Sequence, residues 1–98
     1  MAIESINPAN GKLLRHFDPL GDEAIRQKIG LASEAFEAYK AVPLEHRSLC
    51  MRKLASILEH ETEDLAIIIT EEMGIPLHTA RQEVLKCATA CRYYAENA

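Results

Sequence analysis

Three cysteines and four histidines are the side chains of this 98-residue sequence best suited to nucleophilic or metal chemistry. Cys87 and Cys91 are four residues apart, so on a helix both would face one metal ion. No histidine lies near them in sequence, and both fall on a predicted apolar helix face, where unpaired cysteine is a common core residue. The histidines, which border predicted turns or helix ends and are predicted to be solvated, are His16, His46, His60 and His78. No spacing selects a cysteine–histidine pair for catalysis.

Two other kinds of site have weak support. No two of the four glycines are close enough to form a phosphate-binding loop, so this chain by itself is predicted not to bind a dinucleotide. Acidic runs such as EHETED, residues 59–64, suit a hard cation, although solvated helix ends explain them as well.

Composition sets the class of protein. A net charge of −4 disfavours nucleic acid and anionic membranes as partners. The longest apolar run, LAIII at 65–69, is too short to cross a bilayer. The N-terminus lacks the basic start and apolar run of a secretory signal, and an odd number of cysteines suits a reducing compartment, so we expect a cytoplasmic location.

The elements that would position these residues begin with a β-hairpin over residues 3–17. Its two extended segments are IESI and KLLRHF, joined by NPANG. Within the connection, Asn10-Gly11 is predicted to supply the positive φ angles of a tight turn.

Residues 22–98 predict a helical region of about four amphipathic helices, and the 98 residues read as a single segment. Asp22 is predicted to cap the first helix. Pro43 is predicted to open the second, and the third is predicted from Thr62 to Met73. The predicted inward stripes are, in helix order, Ile25, Ile29, Ala32, Phe36 and Tyr39; Cys50, Leu54, Ile57 and Leu58; Leu65, Ile68 and Ile69; and Val84, Cys87, Ala88, Cys91, Tyr94 and Ala95.

A break between the third and fourth helices is the most specific local pattern. Gly74 is predicted to end the third helix in the left-handed conformation. Pro76 then suits the first turn of the next helix, whereas a capping box of Thr79 and Gln82 would start that helix three residues later. The predicted fold class is therefore mainly α, with a short N-terminal β-hairpin before about four amphipathic helices.

The order of these motifs resembles the N-terminal region of the aldehyde dehydrogenase superfamily. The segments that carry the resemblance are INPANG, AFEAYKAVPLEHRSLCMRKLASILE, ITEEMGIPLHTARQEV and CRYYAENA, and together they cover essentially the whole chain. Within the superfamily the sequence is most similar to the succinate-semialdehyde dehydrogenases. It departs from the family at Asn10, where threonine is frequent, and at Ile75, where lysine is frequent.

The resemblance implies the N-terminal part of an α/β enzyme that oxidises aldehydes to carboxylic acids with NAD or NADP. In such enzymes the nucleophilic cysteine, the glutamate base and the dinucleotide-binding glycines lie beyond residue 98. The resemblance therefore assigns no catalytic or cofactor-binding residue to this chain, and its partners would be the remainder of the enzyme chain and further copies in a homo-oligomer.

Two sites carry over from the family. A structural monovalent cation would be bound by main-chain oxygens of Ser5 and Ile6 and by the Glu72 carboxylate, for which a solvated Glu72 is the alternative. A substrate entrance would be lined by Glu83, Lys86 and Cys87, for which an ordinary helix with one buried and one solvated face is the alternative.

Two other classes of protein compete with the enzyme segment. A stand-alone helical interaction module without catalysis should close its own core or dimerise symmetrically, whereas an enzyme segment should expose a large apolar surface. A small metalloprotein is the remaining alternative, and exhaustive chelation would then lower its stability.

Overall fold

The computed structural model describes residues 3–98 and confirms the predicted fold class. The elements, in chain order, are β1 (Ile3–Ile6), β2 (Leu13–Phe17), α1 (Asp22–Tyr39), α2 (Leu44–His60), α3 (Thr62–Met73) and α4 (Leu77–Asn97). The hairpin precedes the helices, and α4 packs against both α2 and α3.

The hairpin is antiparallel, with Ile3 opposite Phe17 and Ile6 opposite Leu13. The register shifts between Ser5 and Ile6, which interrupts regular pairing near the end of β1. Irregular pairing of this kind bends a strand locally and re-aims its side chains.

The predicted tight turn at Asn10-Gly11 is wrong, because residues 7–12 form a longer loop. Gly11 alone has a positive φ, of 72°. The Asn10 side-chain oxygen accepts a hydrogen bond from the Lys12 amide at 2.9 Å, which is the local turn that asparagine favours. The Gly11 amide in turn donates to the Asn7 carbonyl at 2.8 Å and closes the loop.

The first helix begins at Asp22, one residue earlier than a cap at Asp22 would require. Gly21 occupies the N-cap position without a side-chain hydrogen bond, so the prediction that Asp22 caps α1 is wrong. Asp22 and Glu23 lie in the first turn instead, where the helix dipole still favours their negative charge.

The predicted apolar stripe of α1 exists, but it is not buried. Ile25 is 43% exposed, Ile29 is 64% exposed and Phe36 is 63% exposed, and no residue of α1 is buried. The helix is joined to α2 through Arg47, which donates to the Tyr39 carbonyl at 2.7 Å and lies 4.8 Å from the centre of its ring. Apart from this contact at Tyr39, the apolar stripe of α1 is left exposed within residues 3–98.

The second helix begins at Leu44, after Pro43 at its N-cap. Its buried position is Ala55, flanked by the partly buried Met51 and Leu58. The predicted stripe was wrong at the three positions that the structure exposes, Cys50, Leu54 and Ile57. Ala55 packs with Ala88 and Cys91 of α4, and its small side chain lets the two helices approach closely. The larger side chains of Leu54 and Ile57 are therefore left exposed.

The third helix has the predicted bounds and ends at Gly74, whose φ of 74° and ψ of 13° confirm the left-handed conformation. Leu65 and Ile69 are half-buried, whereas Ile68 is exposed, contrary to its predicted inward position. The fully buried residue of α3 is Ala66.

The fourth helix begins at Leu77, directly after Pro76. Of the two predicted starts the earlier one is nearer. Pro76 lies at the N-cap and not in the first turn, whereas Thr79 lies inside the helix and does not cap it. The buried residues of α4 are Ala80, Val84, Ala88, Cys91 and Ala95. Cys87 and Tyr94, also predicted to face inward, are exposed.

The chain forms an open layer with a small core. It measures 47 × 40 × 16 Å, with a radius of gyration of 17.5 Å, whereas a compact domain of this length has about 13 Å. Its accessible surface is 7727 Å², whereas a compact monomer of this mass exposes about 5600 Å². No helix within residues 3–98 is long and apolar enough to span a bilayer.

Candidate functional sites

The helical layer contains an apolar groove, which we call the α3–α4 groove. Its volume is about 510 Å³, and it is lined by Leu58, Leu65, Ile68, Ile69, Met73, Ile75, Glu83, Val84 and Cys87. Residues of α3 and α4 supply most of the wall, and Leu58 contributes from α2. The apolar side chains suit a hydrocarbon chain or another protein segment.

The groove includes two of the three predicted substrate-entrance residues. Glu83 and Cys87 are four residues apart on α4, so their side chains follow one another along the same wall. Lys86 is exposed but does not line the groove. The substrate entrance stays a prediction, and two of its three residues, Glu83 and Cys87, line one groove.

The predicted cation ligands lie where the hairpin contacts the end of α3. The Ser5 hydroxyl donates to the Glu72 carboxylate at 2.6 Å, although 67 residues separate them in sequence. Ile6 follows Ser5 at the register shift of β1. The structure thus brings Ser5 and Glu72 together, and cation binding stays a prediction.

A second contact holds the hairpin loop in the same place. A Cβ atom added to Gly74 would lie 2.8 Å from Cγ of Pro8, so only glycine fits between the loop and the end of α3. Gly74 therefore serves twice, as the left-handed helix end and as the point of close approach.

Sequence analysis missed the ion pairs between helices. Arg81 donates from Nε and Nη2 to the two Glu63 carboxylate oxygens at 2.7 and 2.8 Å, which links α4 to α3. These hydrogen bonds lower the pKa of the Glu63 carboxyl below its ordinary value of 4.5. Arg92 pairs with Glu59 and so links α4 to α2. The pairs join different helices, so no spacing along one helix reveals them.

The fold and its surface are typical of one class of protein. A hairpin followed by four helices, with many large apolar side chains exposed, is typical of a segment of a larger protein. A solved aldehyde dehydrogenase of Brucella melitensis biovar abortus 2308 has this arrangement, with a TM-score of 0.89 and 30% identity over 98% of the chain.

The aldehyde dehydrogenase family profile matches residues 1–98, and the chain belongs to this family. It is 39% identical over 98 residues to a probable NADP-dependent succinate-semialdehyde dehydrogenase of Synechocystis sp.. It is 40% identical over 98 residues to an aldehyde dehydrogenase of Paenarthrobacter nicotinovorans. Each alignment covers the whole of this chain.

The chain spans about a fifth of the proteins that it matches. The shares are 22% of the Synechocystis relative, 21% of the Paenarthrobacter relative and 20% of the Brucella structure. Most of each relative therefore lies outside the matched region.

Proposed function

We propose that these 98 residues are the N-terminal segment of an NAD- or NADP-dependent aldehyde dehydrogenase, which oxidises an aldehyde to a carboxylic acid. The observation that carries the proposal is the family match over residues 1–98. The segment alone is expected to be inactive, because we expect the nucleophile, the base and the dinucleotide site to lie beyond residue 98, as in the enzymes that the sequence resembles. Its role is structural, since its helices pack onto the rest of the enzyme.

Succinate semialdehyde is the aldehyde to assay first, giving succinate as product. The support is the name of the Synechocystis relative, which also names NADP as the coenzyme. The Paenarthrobacter relative, at similar identity, is named only for aldehydes in general. We therefore propose aldehyde oxidation for the enzyme, with succinate semialdehyde as its first candidate substrate and NADP tested beside NAD.

The partners of the segment follow from its open surface. We propose that the remainder of the enzyme chain covers the apolar side of the helical layer, and that the enzyme is a cytoplasmic homo-oligomer. The stand-alone interaction module has less support, because residues 3–98 bury mainly alanine side chains and do not close a core of their own.

A structural monovalent cation is also part of the proposal. The hydrogen bond from the Ser5 hydroxyl to the Glu72 carboxylate, at 2.6 Å, supports it, because it brings the carboxylate to a residue whose main-chain oxygen is an expected ligand. In the intact polypeptide, sodium or potassium should raise Tm relative to a large organic cation, and Glu72→Gln should remove most of that rise. An equal rise in the Glu72→Gln variant would exclude this site.

The first experiment is to capture the native polypeptide with an antibody against these 98 residues and to measure its intact mass. A mass several times 11.0 kDa, with aldehyde-dependent formation of NADH or NADPH, is expected. A native mass of 11.0 kDa without such activity would overturn the proposal and favour a protein that shares only ancestry with the enzymes.

A further inference from the structure

The exposed apolar stripe of α1 has the spacing of a contact between two helices. Its members, at successive intervals of four, three, four and three residues, are Ile25, Ile29, Ala32, Phe36 and Tyr39, and all five are exposed. An average interval of about 3.5 residues keeps the stripe in one line, and helices with such stripes pack lengthwise. The stripe is about 21 Å long and therefore fits a second helix that runs beside α1 for about four turns.

Basic side chains flank this stripe on both sides. At about 100° of rotation per residue, Lys28 lies on one side of the stripe, and Arg26 and Lys40 lie on the other. Arg26 and Lys28 make no ion pair within residues 3–98, whereas Lys40 contacts Glu37 at 2.6 Å. Two cations beside the stripe are therefore available to a partner.

The acidic residues of α1 are placed differently. Glu23 and Glu34 lie on the face opposite the stripe, and Glu37 lies farther from the stripe than Lys40. Asp22 lies beside the stripe, but it belongs to the first turn, where the helix dipole favours its charge. Beyond the first turn, the flanks of the stripe thus carry positive charge.

This charge pattern distinguishes between two kinds of partner helix. If α1 of a second copy packed along the stripe, the basic flanks of the two copies would adjoin in either direction of packing. Like charges at these positions weaken the association of two copies without preventing it. Carboxylates at the same positions would instead form ion pairs with Arg26 and Lys28. A partner helix with acidic flanks is therefore favoured over a second copy.

We propose that α1 packs lengthwise against a helix of the enzyme chain beyond residue 98, whose own apolar stripe is flanked by aspartate or glutamate. This inference rests on the proposed function, since it requires further sequence in the same polypeptide. The matched relatives have room for such a helix, because the chain spans 22% of the Synechocystis relative. The apolar stripe provides most of the buried area, and the basic flanks select the charge of the partner.

The first test is zero-length cross-linking of the intact native polypeptide with a carbodiimide, which joins a lysine amine to a carboxylate in contact with it. The products are separated under denaturing conditions, so that the band of single-chain mass contains links within one polypeptide. Linked peptides are then identified by mass spectrometry. The Lys40–Glu37 contact at 2.6 Å is the internal positive control.

We expect Lys28 in the single-chain band to be linked to a carboxylate beyond residue 98, with apolar residues at helical spacing around it. Links of Lys28 to residues 1–98 alone, or none while Lys40 and Glu37 are linked, would overturn the inference and leave the enzyme. A Lys28 link confined to the double-mass band would also overturn it, because the partner would then be another subunit. A native mass of 11.0 kDa would overturn the proposed function itself.

The second test measures amide hydrogen exchange of residues 22–39 in the intact polypeptide. Lys28→Gln should speed exchange by about 1.5-fold to fivefold at low salt, the range for one exposed ion pair, and the effect should shrink in about 0.5 M salt. Lys53→Gln makes the same change at an exposed, unpaired lysine of α2 and should leave α1 near wild type. Unchanged or slower exchange in Lys28→Gln would contradict an acidic partner, since slower exchange indicates relief of repulsion between copies.

Discussion

At the scale of single residues, Gly74 fixes how the hairpin meets the helices. Its positive φ of 74° disfavours any side chain, and the Pro8 ring occupies the space that a Cβ atom would need. Gly11 has nearly the same φ, 72°, but nothing lies within 4 Å of the position of its Cβ. A side chain added at Gly11 therefore causes backbone strain alone, whereas one added at Gly74 causes the same strain and a steric overlap.

Substitution at these two positions should have unequal costs. We expect Gly11→Ala to lower the free energy of unfolding by about 1 kcal/mol, through backbone strain alone. Gly74→Ala should lower it by about 2–4 kcal/mol, because crowding of the Pro8 ring adds to the same strain. Urea denaturation of the intact polypeptide measures both values.

A double variant tests the cause. Pro8→Ala removes the ring carbon at 2.8 Å and keeps the Cβ at 3.7 Å from the added methyl group, an ordinary contact. In that background Gly74→Ala should cost no more than Gly11→Ala. An undiminished cost would mean that the Pro8 ring is not the obstacle.

Helix ends were predictable from sequence at positions where the backbone conformation accepts few residue types. Gly74 and Pro76 mark the α3–α4 junction correctly, because a left-handed helix end favours glycine and proline suits a helix start. The local roles of Asp22 and Asn10 were predicted wrongly: Asp22 lies in the first turn of α1 and not at its cap, and Asn10 forms a side-chain turn instead of supplying a positive φ. The reason is that caps, first turns and side-chain turns all favour the same residue types.

At the scale of elements, helix α4 is buried mainly through small side chains. Ala80, Ala88 and Ala95 are each at most 6% exposed. The periodicity of apolar residues predicted the existence and bounds of α3 correctly. It gave most weight to large side chains, however, and so it assigned the wrong face of α2 to the core. Close helix packing by alanine leaves little hydrophobic signal in the sequence.

The ion pair between α3 and α4 gives this part of the fold a pH dependence. The Arg81 hydrogen bonds hold the pKa of Glu63 below 4.5, so unfolding raises the affinity of this carboxyl for protons. The contribution of the pair to stability is thus complete above the ordinary pKa and is lost as pH falls through the lowered one. It should be small, since both side chains are about half exposed.

Arg81→Gln should return the pKa of Glu63 towards 4.5, as followed by carbon NMR of its carboxyl group. It should also lower Tm slightly at neutral pH, with a difference from wild type that fades below about pH 4.5. Arg26→Gln is the matched control, because Arg26 makes no ion pair within residues 3–98. A Glu63 titration that is the same in the wild type and the Arg81 variant would contradict the ion pair.

At the scale of the whole molecule, the sequence predicts the hairpin and the helices, but it does not predict how completely their apolar faces cover one another. Helical periodicity shows that a face is apolar, and it does not show whether the partner of that face lies in the same 98 residues. The same limit applies to the candidate sites. Ser5 and Glu72 were paired through family resemblance, whereas the absence of Lys86 from the groove depends on how α4 is rotated, which packing decides.

The exposed stripe of α1 provides the test of closure. If the remainder of the enzyme covers this face, residues 1–98 expressed alone should associate through it, because large apolar side chains such as Ile29 and Phe36 are more than 60% exposed. Sedimentation velocity over a hundredfold range of concentration should then show mass rising with concentration.

Ile29→Lys should shift that association to higher concentration, by about tenfold or more, because burying an isoleucine contributes about 1.5–3 kcal/mol. Gln27→Lys, two residues away and on another face of the helix, adds the same charge without removing apolar surface. Both substitutions lower the net charge of −4 in magnitude, so weaker repulsion would favour association in both. A decrease confined to Ile29→Lys therefore identifies the apolar face as the cause. A wild-type segment that stays monomeric and unfolds cooperatively would instead show that these 98 residues close their own core, as the stand-alone module requires.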